Sequence, residues 1–332
     1  MLRLLLPMSC LLFMATATSL VAEERPKAEI ISVEMISDDA PHSAFTDLIR
    51  FQENWFCVFR EGKAHVSPDG ALQVLKSHDG NVWQSVARLT SPKADLRDAK
   101  ITRTPDGKLM LCGAGALHQP AEARHQSMIW YSDDGTNWSD PIAIGPPDYW
   151  IWRITWHEGK AYGVGYHTVQ PRETQLFVSE DGRSFEKLGK PFSIDGFSNE
   201  ASLVFHADGT ALCVVRRDGD PRDAQLGTSV PPYTDWQWKS LGQYIGGPAL
   251  KQLPDGGHIV AGRRLNGPAK TVLWQLDPNT AELSELAVLP SGGDTSYPGF
   301  VLHDDMLWMS YYSSHEGKTR IYLAKIKLPA PE

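Results

Sequence analysis

The chain has 332 residues, 42% hydrophobic and 10% aromatic, enough to bury the core of one large domain. Its 40 acidic residues outnumber 32 basic ones for a net charge of −8, which excludes binding to nucleic acid or anionic membranes through the overall field. No Cys-x-x-Cys spacing or histidine pairing suggests a metal, and nothing in the pattern calls for a cofactor.

The N-terminus reads as a secretory signal peptide over residues 1–22. Met1-Leu-Arg3 is a short basic start, Leu4 to Leu20 is mostly apolar with small residues, and cleavage is expected after Ala22 or Ala17. Removal of residues 1–22 deletes Arg3 and leaves 31 basic against 40 acidic residues, net −9. The expected location is the periplasm or the outside of a bacterial cell, with no stable membrane insertion after cleavage. Three cysteines then remain, Cys57, Cys112 and Cys213. They occupy one repeat position in different repeats, so they are expected to be buried free thiols.

Lys27 to Ile36 alternates like a strand. A phrase of about twenty residues follows and recurs six times at intervals of about fifty, starting near Thr46, Arg97, Trp152, Asn199, Gly246 and Ser296. Each copy is an apolar run, a short polar turn, most often with Asp-Gly or Glu-Gly, and a second apolar run, which is a β-hairpin. Six hairpins at a fixed period predict an all-β, six-bladed β-propeller of four-stranded blades over residues 27–329, in a monomeric protein. The sixth blade runs out of chain after Thr319–Leu328, so the strand near Ile30–Ile36 is expected to complete it and close the ring.

The first three hairpins are followed by Ser77-His-Asp-Gly-Asn-Val-Trp83, Ser132-Asp-Asp-Gly-Thr-Asn-Trp138 and Ser179-Glu-Asp-Gly-Arg-Ser-Phe185, 55 and 47 residues apart. Ser and Asp side chains can tie down such a turn, glycine takes its left-handed corner, and the aromatic ring caps the layer between strands. Tyr233-Thr-Asp-Trp236-Gln-Trp238 is a degenerate relic of the same motif.

Aligned on their turns, the copies place two rings of residues at strand ends. Asp47, Asp98, Arg153, Glu200, Gly247 and Ser296-Tyr297 begin the inner strands, while Arg60, Gly115, Tyr166, Arg216, Arg263 and Tyr312 end the second strands. Both rings are expected at one mouth of the propeller. Arginines clustered with carboxylates suit an anionic group, because a guanidinium fork holds a carboxylate by two hydrogen bonds. Tyr149-Trp150-Ile-Trp152 reads either as packing between blades or as a stacking platform for a sugar ring. His118, His125, His157, His167 and His315 read as turn or packing residues, with His167 and His315 nearest the mouth.

The Ser-x-Asp-Gly-x-x-aromatic motif is similar to the Asp-box, and with six blades the chain resembles the sialidase superfamily over nearly its whole mature length. The resemblance implies Tyr297 as nucleophile, Glu200 as its partner, Arg216 and Arg263 as two arginines of a carboxylate-binding triad, and Glu316 as the residue orienting the remaining one. The Tyr297–Glu200 pairing is expected to lower the phenol's pKa. Two departures point away from sialic acid itself. Thr46-Asp47-Leu48 stands where the first triad arginine belongs, and His65 falls near the position of the acid/base aspartate. The expectation is a secreted glycosidase for another acidic or hydroxyl-rich glycan, with Arg60, Arg153 and Asp47 helping to bind it. Asp98 and Glu200 could also act as a conventional carboxylate pair. A non-catalytic propeller binding glycan or protein, and a polysaccharide lyase, are the alternatives.

Overall fold

A computed structural model describes residues 27–120 and 123–330; the expected signal peptide lies outside the described residues. Among the described residues all regular structure is β, in six four-stranded antiparallel sheets. Blade one is β2 (His42–Phe51), β3 (Asn54–Gly62), β4 (Ala71–Ser77) and β5 (Gln84–Leu89). Blade two is β6 (Ala94–Arg103), β7 (Leu109–Leu117), β8 (His125–Ser132) and β9 (Ile142–Ile144), and blade three is β10 (Tyr149–His157), β11 (Lys160–His167), β12 (Thr174–Ser179) and β13 (Glu186–Leu188). Blade four is β14 (Phe197–Phe205), β15 (Ala211–Asp218), β16 (Gln225–Ser229) and β17 (Gln237–Ser240). Blade five is β18 (Gly246–Gln252), β19 (His258–Arg264), β20 (Lys270–Asp277) and β21 (Glu282–Val288).

Blade six takes β22 (Thr295–His303), β23 (Met306–Ser313) and β24 (Arg320–Lys327) from the end of the chain and β1 (Glu29–Ser37) from its start. β1 pairs antiparallel with β24 from Glu29 opposite Lys327 to Ser37 opposite Ile321, so the ring closes as the unfinished sixth repeat required. The inner strands β2, β6, β10, β14, β18 and β22 touch their neighbours all the way round. The core lies as wedges between blades. Phe56, Val58, Leu72 and Val74 of blade one pack on Leu96, Ile101, Leu111 and Trp130 of blade two, and Ile259 and Leu273 of blade five pack on Met309 and Tyr311 of blade six. Cys57, Cys112 and Cys213 are free, buried and in three different wedges.

The three Ser-x-Asp-Gly turns share one hydrogen-bond plan. Asp79 Oδ1 accepts the backbone N–H groups of Asn81 and Val82 at 2.9 and 3.0 Å, and Asp134 and Asp181 do the same for the residues that follow them. Those donors hold the Asp134 and Asp181 carboxyls down at about 2. Trp83 and Trp138 donate their indole N–H to Gly80 O and Gly135 O. Gly80 has φ +76°, and a Cβ there would come within 2.4 Å of the Trp308 ring in blade six, so the turn is also a blade-to-blade contact. In blade four Tyr233 takes the glycine's place at φ 65°, and Trp236 still donates to its carbonyl at 3.0 Å.

Candidate functional site

Each inner strand carries one irregularity at the same place. Two of its residues stand opposite one residue of the second strand: Phe45-Thr46 opposite Phe59, Asp98-Ala99 opposite Gly113, and Trp152-Arg153 opposite Val164. The series continues with Asn199-Glu200 opposite Arg216, Gly247-Pro248 opposite Gly262, and Tyr297-Pro298 opposite Tyr311. These are β-bulges, which re-aim side chains at the end of a strand. Phe45, Asp98, Gly247 and Tyr297, each the first residue of its bulge, have left-handed φ values of 54–66°. Phe45 and Tyr297 bear bulky side chains that disfavour this region, and such backbone persists only where its surroundings hold it.

The bulges correct the sequence register. Asp98 and Tyr297 are first residues, Glu200 and Arg153 are second residues, and Asp47 lies one step past its bulge, so the predicted inner ring is staggered over three levels. Glu200 and Tyr297 meet at the top. Tyr297 OH donates to Glu200 Oε1, while Glu200 Oε2 accepts Gly247 N at 2.8 Å and pairs with Arg216 Nη1 at 2.9 Å. A Cβ on Gly247 would sit 2.5 Å from the Tyr297 ring, so glycine there is what lets the phenol approach. The Tyr297 ring is walled by Phe45, Trp152 and Tyr312 at centroid distances of 4.9, 5.5 and 5.7 Å.

The two carboxyls of the site are driven apart. Burial works to raise the Glu200 pKa, but the Arg216 charge and the hydrogen bonds from Tyr297 and Arg216 outweigh it and hold the carboxylate below its usual value. Asp98 is as buried, and there desolvation wins over neighbouring Arg97, with Glu200 adding to the rise. Two neighbouring carboxyls with opposed shifts are the pattern of a proton donor beside an ionised partner. The expectation for the phenol is corrected. Burial, then the negative charges of Glu200 and Asp98, push the Tyr297 pKa well above its ordinary value. A carboxylate beside a phenol opposes phenolate formation; Glu200 can only act as acceptor of the proton.

Arg216 also pairs with Asp218 at 3.0 Å and lies 5.4 Å from the Tyr244 ring centroid. Arg263 stands near Tyr244, Tyr297 and Tyr312, 3.7 Å from Asp294. His65, half exposed, sits at the edge with Nδ1 2.7 Å from Asp294 and acts electrostatically on Asp98.

Other predicted residues do not reach this mouth. Arg60 is fully buried and held by Asp95 Oδ1, Ala64 O and Ser67, in space kept open by Gly62 and Gly70. Asp47 is buried, accepts Ile101 N at 3.0 Å and forms an ion pair with Arg153 at 3.0 Å. That pair lines a 240 Å³ cavity with Ile101, Leu250 and Lys251, farther along the channel. Thr46 spends its hydroxyl on Tyr297 O at 2.7 Å. Glu316, half exposed, is bound to Tyr322 OH at 2.7 Å and to Arg320, both on β24 of blade six, and orients no arginine of the mouth. Trp150 and Trp152 are buried, so the aromatic run is packing. His118, His125, His157, His167 and His315 are each engaged by backbone, hydroxyl or ring partners.

Sequence reasoning passed over three residues. Arg97 precedes Asp98, lies 5.4 Å from the Phe45 ring centroid, and has no ion pair among the described residues. Lys100 is buried beneath the site, with Nζ donating to Thr46 O at 2.8 Å and 5.2 Å from the Tyr297 ring centroid; burial, then Arg153, lowers its pKa to about 8. Asp294, in the loop before β22, accepts from Tyr312 OH at 2.8 Å and gathers His42 and His65. Arg97 and Lys100 flank Asp98 in the repeat and could have been found from it; Asp294 lies outside the repeat.

No protein-family profile and no curated protein matches the sequence. Solved structures do match the fold. A protein of unknown function from Dyadobacter fermentans superposes with a TM-score of 0.80 at 18% identity, covering 92% of this chain and 100% of that one. The Trypanosoma rangeli sialidase in complex with the inhibitor DANA gives 0.68 at 11% identity over 90% of this chain, which spans 58% of that protein. The Penicillium chrysogenum α-L-arabinanase complexed with arabinobiose gives 0.68 at 12% identity, covering 91% and 99%. The chain thus has the six-bladed, sialidase-like propeller fold.

Proposed function

We propose that this protein is an exported glycoside hydrolase acting on an acidic glycan other than a sialoside. The observation that carries the reading is the Tyr297–Glu200–Arg216 chain of contacts, with protonatable Asp98 beside it, inside a ring of aromatic side chains. In the reaction, Tyr297 Oη attacks the anomeric carbon and passes its proton to Glu200 Oε1. Asp98 delivers its proton to the departing glycosidic oxygen. Water then attacks the tyrosyl–sugar bond, returning a proton to Asp98, and the phenol recovers its own. Sialidases, with a tyrosine nucleophile, are an exception to the use of two carboxylates in glycoside hydrolysis. Arg97, Arg216 and Arg263 supply the positive charge for the substrate's acid group, and the Thr46-Asp47 segment, turned inward, supplies none.

The test is turnover of a panel of aryl glycosides, including uronides and sialosides, by wild type and Glu200→Gln. Hydrolysis of a non-sialyl substrate that falls by two to four orders of magnitude in Glu200→Gln, with ligand affinity kept, supports the reading. Equal rates in the two proteins defeat the catalytic assignment.

One observation favours a second reading, a non-catalytic glycan-binding propeller: the Tyr297 phenol is held neutral by burial, and Glu200 is already engaged by Arg216 and Gly247 N. Saturable binding of an acidic glycan with no product, ultraviolet-absorbing or otherwise, decides for it.

A further inference from the structure

Three side chains from separate parts of the chain meet at the seam between blades one and six. His42 begins β2, His65 follows β3, and Asp294 precedes β22. His65 Nδ1 is 2.7 Å and His42 Nε2 is 3.1 Å from the same oxygen, Asp294 Oδ2, and the three donor atoms all lie within 4.8 Å of one another. The two imidazoles meet edge to face, 5.4 Å between centroids, with the Phe45 ring 5.2 Å from that of His65. We propose that His42, His65 and Asp294 form a binding site for one divalent transition-metal ion with the ligand preferences of zinc.

The dimensions suit the ion. Zinc takes imidazole nitrogen and carboxylate oxygen at about 2.0–2.2 Å in a tetrahedron, which sets neighbouring donor atoms about 3.3 Å apart. The two nitrogen–oxygen separations are close to that edge, so a small outward shift of the half-exposed His65 ring admits the ion. Two imidazoles and a carboxylate are also a donor set that transition metals favour over calcium or magnesium. The carboxylate has the outer support such ligands need. Tyr312 OH donates to Asp294 Oδ1 at 2.8 Å and leaves Oδ2 to the two histidines. The nearest cation, Arg263, stands 3.7 Å from Oδ1, on the far oxygen. His42 is buried and His65 is half exposed, so a fourth coordination position opens to solvent on the His65 side.

The spacing hid this cluster. His42, His65 and Asp294 are 23 and 229 residues apart, and only ring closure brings them together. A second histidine pair, His206 Nε2 and His258 Nε2 at 2.8 Å, joins no three-ligand group among the described residues and serves as the internal control.

Full mature protein, stripped with chelator and titrated with zinc chloride by calorimetry, tests the site without any substrate, so its outcome is independent of the enzymatic reading. Wild type is expected to bind one equivalent and to melt at a higher temperature with zinc. His65→Ala and Asp294→Asn are expected to lose affinity at least tenfold, Tyr312→Phe to lose about 10–100-fold through the missing outer hydrogen bond, and His206→Ala to bind as wild type. His65 is half exposed, so that variant keeps its fold, which its melting curve in chelator verifies. Absence of stoichiometric binding by wild type overturns the proposal, as does unchanged affinity in His65→Ala or loss of binding in His206→Ala.

Discussion

Blades one and five place an arginine at the same point of the repeat: Arg60 stands opposite Ala44 and Arg263 opposite Gly246, each the residue before the inner-strand bulge. Their fates differ. Arg60 is fully buried, and its three nitrogens are all answered, by Asp95, Ala64 and Ser67. Arg263 is hydrogen-bonded to Tyr244, and its nearest carboxylate is 3.7 Å away. A guanidinium whose donors are satisfied by a buried carboxylate and backbone locks two blades together, while one with no close carboxylate keeps its charge for a ligand. Repetition of a charged residue therefore marks a place in the fold, and its partners decide its use.

The largest effect should come from breaking the closed arginine. Arg60→Met strands buried Asp95 and should destabilise by about 3–5 kcal/mol in urea unfolding, with glycan affinity per folded molecule unchanged. A small loss would mean that Asp95 is readily protonated or hydrated. Arg263→Ala should show the converse, with a smaller loss of stability than Arg60→Met and, on the proposed function, affinity for an acidic glycan reduced tenfold or more. Equal losses of stability in the two variants would erase the contrast.

Asp98→Asn sharpens the electrostatics of the mouth. The folded-state pKa of Asp98 lies above the unfolded one, so folding favours the neutral acid. That contribution is fully present below the unfolded pKa and is lost as pH rises through the folded value. Asparagine stays neutral, so the variant should melt with wild type near pH 3 and above it at pH 8. A lower melting temperature at pH 8 would show that Arg97 and Lys100 stabilise an ionised Asp98. The smallest effect is expected from Glu316→Ala, which should leave melting temperature and glycan affinity at wild-type values because the side chain is solvated and engaged only with Tyr322 and Arg320. A loss of affinity would restore the orienting role that the family resemblance assigns to it.

Much of the architecture was legible because it is local or periodic. The hairpins, the Ser-x-Asp-Gly turns and the missing strand of blade six each follow from short-range patterns, and the strand at Glu29–Ser37 closes the ring where the count required it. The contact between Glu200 and Tyr297 was expected as well, from the family resemblance. Arg60 and Glu316 were misplaced by the same reasoning. Type and spacing are visible in a sequence, but the buried Asp95 that captures one and the Tyr322–Arg320 pair that captures the other are not.

By itself, then, the sequence determined the number of blades, the closure and the turn chemistry, since each depends on residues within one repeat or on the repeat count. Only the tertiary structure decided the level at which each inner-strand residue stands, because a bulge is a two-for-one mismatch with the neighbouring strand and leaves no mark in residue spacing. It also decided the protonation of the mouth. Burial raises Asp98 and Tyr297 while Arg216 holds Glu200 ionised, and burial is a property of six blades meeting around one channel, not of any residue within them.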